Sequence, residues 1–371
     1  MPLNLGETDT AKRPLNIPLE SGEPSKVAKI SEGGEDAEGS DKEAQQHELL
    51  EQGAHGMSQN PRLQRYLLAV EYIGTRFFGS QKQPNCRTVA GVLEEAFIKF
   101  VGHPVSVVLS SRTDTGVHAL SNVFHVDVER ISKRRPNEVL PPHEPGVVRR
   151  AVNHFLQKEG DITVIEVQCV PTDFHARFRA LERTYFYRLL SGSEEPLPVF
   201  EKDRAWHVFE QLDLIAIRKA CSILVGHHDF SSFRAAGCQA TSPVKTLDEL
   251  GICEVASFLC FPSRTERREM SFKSSTDDTC VSNVVPETCT TESNGSFGER
   301  NRHRCFVITA RARSFLYHQV RLLVGVLKRV GTGELTVEDV KKILNAKTVQ
   351  SAIPMAPACG LYLGNVKYHF S

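Results

Sequence analysis

With 371 residues, 45 of them basic and 45 acidic, the chain carries no net formal charge and is long enough for one or two domains. The charge is unevenly spread: residues 1–60 hold 12 acidic and 5 basic groups, leaving 40 basic against 33 acidic beyond them. Ten scattered cysteines form no Cys-x-x-Cys pair. That pattern argues against a disulfide scaffold or a zinc site and for reduced thiols in an intracellular protein. No apolar run reaches the length that spans a bilayer.

Residues 1–60 are rich in Glu, Gly, Ser, Ala and Gln and lack the apolar content to build a core, so they read as a disordered acidic tail. Organelle transit peptides are Arg-rich and acid-poor, the reverse of this tail, which favours the cytoplasm or nucleus. Order begins near Arg65, with a strand over 66–72. Thr88 is placed to cap a helix whose apolar positions are Val89, Val92, Leu93, Ala96, Phe97 and Phe100, and Gly102 ends it. Strands over 105–109, 123–128 and 162–170 and a helix over 147–156 complete a β-α-β-β-α-β order, that of a ferredoxin-like unit. The second half reads as strands over 183–190, 247–255 and 305–312, helices over 212–225, 314–330 and 337–344, and a last strand from Leu361. Ser314 is the expected cap of the 314–330 helix. Residues 264–304, rich in Ser, Thr, Glu and Asn, read as a disordered insert.

The chemistry concentrates in Arg112-Thr113-Asp114-Thr115-Gly116-Val117-His118. In an extended segment residues two apart face one way, so Arg112 and Asp114 are expected to share a face, with His118 in reach. An arginine beside a carboxylate keeps it ionised, as a nucleophile or general base requires. On spacing alone, a structural Arg112–Asp114 ion pair is the stronger reading. The stretch from His175 to Arg188 alternates basic and aromatic residues, which suits phosphate contact and base stacking as well as it suits a solvated strand face. Arg321 falls within the 314–330 helix among apolar positions.

Together these stretches resemble the tRNA pseudouridine synthases of the TruA type. Five blocks carry the resemblance in order: 112–119; 173–178 with 183–187; 226–233; 314–316 with Val320-Arg321; and 356–363. It covers residues from about 65 to 367. Ser110-Ser111 and Leu120-Ser121-Asn122 look more like the eukaryotic pseudouridylate synthase-like branch. Where the family often places tryptophan before glutamine after Phe78-Gly79, this chain has Ser80-Gln81. The resemblance implies an α+β fold of two ferredoxin-like (RRM-like) halves, residues 61–175 and 176–371, joined into one mixed sheet flanked by helices, with a central basic cleft. It implies Asp114 as nucleophile, Arg112 helping to hold the target nucleotide out of its stack, Tyr185 stacking on the uracil, Arg321 paired with Asp114, and Leu361 packing on the base. It implies tRNA as partner, modified in the anticodon arm, no metal or organic cofactor, and a homodimer as in the bacterial enzymes. The alternatives are the same reaction on another RNA such as mRNA, a non-catalytic RNA-binding or tRNA-folding protein on this scaffold, and a glycosidic hydrolase. The last usually needs a second acid about 5–10 Å from the first, and none stands out in these blocks.

Overall fold

The computed structural model describes residues 63–132, 134–135, 138–193, 196–255, 303–348 and 354–370. The acidic tail and nearly all of the 264–304 insert lie outside the described residues. Ten strands and five α-helices are formed among the described residues. The strands are β1 (Leu63–Tyr72), β2 (Val107–Leu109), β3 (His118–Glu129), β4 (Ile162–Val170), β5 (Glu182–Ser191), β6 (Trp206–Val208), β7 (Gly226–Asp229), β8 (Val244–Val255), β9 (Arg304–Ala312) and β10 (Leu361–Lys367). The helices are α1 (Val89–Val101), α2 (Pro145–Leu156), α3 (Leu214–Leu224), α4 (Gln319–Gly331) and α5 (Val337–Ala346).

Local chemistry sets the helix ends. The Thr88 hydroxyl accepts the Gly91 N–H at the start of α1, and Gly102, at φ 89°, ends it in the left-handed conformation. Asp213 caps α3 by accepting the N–H groups of Ile215 and Ala216, and Thr336 and Asp339 form a reciprocal capping box on α5. The 314–330 expectation is corrected at its start: α4 begins at Gln319, its N-cap is His318 at φ 62°, and Ser314 caps nothing. Phe315 and Leu316 are apolar because they pack from the preceding loop, not because they lie on the helix stripe.

All strands join one sheet in the order β4-β1-β3-β10-β5-β9-β8-β7, with β2 paired to β3 and β6 to β5. Within the first half, β4, β1, β3 and β2 lie side by side and antiparallel. The second-half strands β5, β9, β8 and β7 are likewise antiparallel neighbours. The final strand joins the two groups. β10 runs parallel to β3, pairing Tyr362 with His118 and Leu363 with Ala119, and antiparallel to β5, pairing Leu363 with Tyr185. The loop that feeds β3 is thereby set beside the middle of the sheet. Helices α1 and α2 pack together, with α2 on β4, while α4 and α5 both pack on α3. The core is continuous from Tyr66 on β1 to Val366 on β10 and includes fully buried Phe97, Phe124, Phe233 and Phe306. Each such ring stabilises the fold by about 2–3 kcal/mol relative to exposure. No described helix is long and apolar enough to cross a membrane.

Candidate active site

The loop between β2 and β3 is held by a buried polar network. The Ser80 hydroxyl accepts the Thr113 N–H at 2.8 Å, and the Ser80 N–H donates to the Thr113 carbonyl at 3.0 Å. Ser80, which stands where the resemblance expects tryptophan, is therefore a direct anchor of the loop. Tyr72 Oη lies 2.8 Å from Thr113 Oγ1. The Asn122 amide donates to Tyr72 Oη and to the Ser111 carbonyl, both at 3.1 Å, while its carbonyl accepts from Ser110 Oγ and the Val123 N–H. Tyr72, Ser80, Ser110, Ser111, Thr113 and Asn122 are all buried, so leaving any of these groups unpaired is costly. Gly79, at φ 83°, lets the neighbouring loop close in: a Cβ there would stand 2.8 Å from the Thr113 carbonyl oxygen.

Asp114 is the residue at which the chain turns out of this network. The Val117 N–H donates to the Asp114 carbonyl at 3.1 Å, and Gly116 takes the third turn position at φ 80°, where a side chain would be strained. No Arg112–Asp114 ion pair forms among the described residues: residues 112–114 lie outside any strand, so strand alternation does not set their faces. The Arg112 guanidinium donates to Gln239 Oε1 at 3.2 Å and is exposed. Asp114 instead meets Arg321, whose Nη1 lies 3.2 Å from Oδ2. Arg321 is fixed from behind, its Nε donating to the Ala356 carbonyl at 2.8 Å.

His318 is the group that sequence reasoning missed. Its Nε2 lies 3.2 Å from the same Asp114 Oδ2. Its left-handed backbone is uncommon for a residue other than glycine, and such conformations cluster at functional sites. One signal was present: His318 and Arg321 stand three apart across a helix start, the spacing that puts two side chains on one face. Both contacts fall on Oδ2, at the positive end of α4, and no hydrogen bond or ion pair of the described residues falls on Oδ1. Burial works to raise the Asp114 pKa, but the hydrogen bond and charge of His318 and the Arg321 guanidinium together outweigh it, and the carboxyl is held below its usual range. It is ionised at neutral pH.

Tyr185 lies in the sheet beneath this loop, 8% exposed, with its ring edge-on to Phe315 at a centroid separation of 5.2 Å. Burial pushes its phenol far up, against a smaller opposing effect of Arg183, so it is a neutral hydroxyl. Leu361 is buried at the start of β10. The turn before it, Ala358–Gly360, borders the Asp114 loop, since a Cβ on Gly116 would lie 3.4 Å from Ala358 Cβ. His118 does not share the face of Asp114: it is buried, accepts the Gly74 N–H at Nδ1, faces the Cys359 carbonyl through Nε2 at 3.2 Å, and stacks on Tyr362. Burial pushes its pKa down to about 4, so it is a neutral structural residue.

Arg183 fastens the loop from the β5 side. Its Nε donates to Ser111 Oγ at 2.8 Å, Nη2 to the carbonyls of Ser110 at 3.0 Å and Arg177 at 3.1 Å, and Nη1 to that of Arg313 at 2.5 Å. Losing these bonds costs about 2–4 kcal/mol. Arg183→Met is expected to lower Tm by about 5 °C or more in a thermal melt. Arg183→Lys is expected to recover little of it, since an ammonium cannot span the same spread of acceptors. An Arg183→Met variant that melts with wild type would show that the clasp does not hold the loop.

A family model described as tRNA pseudouridine synthase matches residues 68–179 and 220–369. The first segment contains Arg112 and Asp114, the second His318, Arg321 and Leu361, and Tyr185 falls between them. Among curated proteins, a tRNA pseudouridine synthase A of Rhodospirillum centenum is 39% identical over 306 residues, covering 82% of this chain and 100% of that protein. Proteins of the same name from Paramagnetospirillum magneticum and Bartonella henselae are 38% and 33% identical, covering 83% and 82% of this chain and 96% and 99% of their own lengths.

Proposed function

The chain belongs to the tRNA pseudouridine synthase family, and from that premise we propose that Asp114 is the group with which it isomerises uridine to pseudouridine in tRNA. The observation that carries the reading is the Asp114 carboxylate, held ionised by Arg321 and His318 through Oδ2, with no described bond on its Oδ1. The reaction is redox-neutral. The N1–C1′ bond of the nucleoside breaks, the uracil turns, a C5–C1′ bond forms, the C5 proton is lost and N1 gains one. A carboxylate serves either as nucleophile or as the base that takes a proton from the sugar. The link it must reach is buried in a stacked RNA, so the uridine has to be flipped out.

Arg321 orients the carboxylate and Tyr185 and Leu361 form the apolar bed for the uracil. Arg112 reaches the RNA backbone, which its exposure and its single uncharged partner, Gln239, support. The exposed Arg112, Arg177, Arg179 and Arg313 make the surrounding surface basic, and we read it as the RNA cleft. The side-by-side order of β4, β1, β3 and β2 supports a ferredoxin-like first half. By resemblance, the target lies in the anticodon arm. Pseudouridine mapping across tRNA and mRNA, with and without the protein, tests this: tRNA anticodon-arm sites that vanish with the protein support it. Loss confined to mRNA would overturn the substrate, and an unchanged map the activity.

A further inference from the structure

A single exposed hydrophobic side chain is ordinary in a folded protein. Phe178 and Tyr317, 70% and 47% exposed, are distinguished by what their neighbours hold. The Tyr317 ring lies on the His318 imidazole with centroids 3.7 Å apart and planes 28° apart, and His318 holds Asp114 Oδ2. The Phe178 ring packs on His175 at a centroid separation of 4.3 Å, with the Arg177 guanidinium carbon 5.7 Å from its centre. The Arg177 carbonyl is one of the groups clasped by Arg183, which also clasps Ser110 and Ser111. Each exposed ring is thus one residue from a group that fixes the catalytic loop: Tyr317 on the side of α4, Phe178 on the side of β5.

The reaction itself creates a need for such surfaces. Flipping one nucleotide leaves its two neighbours without a stacking partner, and aromatic rings replace that partner for any base. The phosphates beside those bases need cations. Arg177 and Arg179 flank Phe178, and the only partner of Arg179 among the described ion pairs is Asp173 at 3.1 Å, an exposed pair that phosphate can readily displace. Arg183 has no carboxylate partner among the described residues, and burial lowers its pKa, so its charge also favours a nearby anion. We propose that Phe178 and Tyr317 are stacking platforms for the nucleotides flanking the flipped uridine of tRNA, with Arg177 and Arg179 taking the adjoining phosphates. The proposal rests on the RNA-modifying reading above and adds the part of the substrate recognised beside the target base.

The test compares Phe178→Ala and Tyr317→Ala with wild type for binding of a fluorescently labelled tRNA transcript by anisotropy, and for KM and kcat in pseudouridine formation. Each variant is expected to bind about tenfold more weakly, with KM rising more than kcat falls. Phe178→Trp and Tyr317→Phe are expected to restore affinity, since the ring is kept. Phe209→Ala is the control. It removes a ring that is 60% exposed and follows β6, which pairs with the far end of β5, about 25 Å along the strand from Arg183. It is expected to bind within about twofold of wild type, and thermal melts confirm that all variants fold. Phe178→Ala and Tyr317→Ala binding no more weakly than Phe209→Ala would overturn the platforms. Wild type that binds tRNA but forms no pseudouridine would strike the activity alone, because the binding comparison decides the platforms by itself.

Discussion

Asp114→Asn is expected to lower the rate of pseudouridine formation by at least about 10³-fold while leaving tRNA affinity within a few-fold of wild type. The amide has the shape of the carboxylate and still accepts from Arg321 and His318, but it is neither a nucleophile nor a base of use. The loop does not depend on the Asp114 charge for its form, because Tyr72, Ser80 and Asn122 hold Thr113 and Ser111 through bonds that do not involve it. Single-turnover rates with a transcript, beside filter binding, separate the two effects. A variant retaining more than a tenth of the wild-type rate would remove Asp114 from the chemistry.

Arg321→Met is expected to cost about 10²-fold or more in kcat, the scale on which one preorganised donor at a reacting group acts. It also has a signature in pH. In wild type, burial would raise the Asp114 pKa, and His318 and Arg321 together reverse that and lower it. Without Arg321 the balance tips back towards protonation, so the acid limb of the kcat/KM profile moves to higher pH. In wild type that limb lies below the ordinary carboxylate range. The same shift links to stability. A carboxyl titrating lower in the folded than in the unfolded chain stabilises the fold above its unfolded pKa, and that contribution is lost as pH falls through the folded value. Arg321→Met is expected to lose this acid-dependent part of its stability. Arg321→Lys is expected to recover part of the profile, keeping the charge but not the bond from Nε to the Ala356 carbonyl. An acid limb that stays in place in Arg321→Met would mean that the guanidinium does not set the charge of Asp114.

Where local chemistry marks an element, the sequence was readable. Thr88 and Gly102 bracket α1 because one side chain can accept at a helix start and one residue type tolerates the left-handed end. The apolar residues of 162–170 place β4 at its observed limits. Where an apolar pattern serves a loop, reading by period fails. Phe315 and Leu316 extend the apparent stripe of α4 four residues too far, because they fill the core beneath a loop that leads to His318. The short strands β6 and β7, three and four residues long, carry too few side chains for a period to show. Within the site, Asp114 stood out as an acid in a distinctive loop. Its relation to Arg112 did not, because residues 112–114 lie between β2 and β3, outside any strand, where alternation does not apply. Ser80, Asn122 and Arg183 each hydrogen-bond loop backbone distant in the sequence, and no spacing rule encodes such pairs.

The central claim is that Asp114 drives an isomerisation in which uracil stays on its own ribose and gives up the proton at C5. Tritium release from tRNA labelled at uridine C5 measures that event directly. Wild type is expected to release tritium in step with the pseudouridine formed, with no free uracil, and Asp114→Asn to release none above background. Free uracil in place of tritium, or equal tritium release from both proteins, would contradict the account.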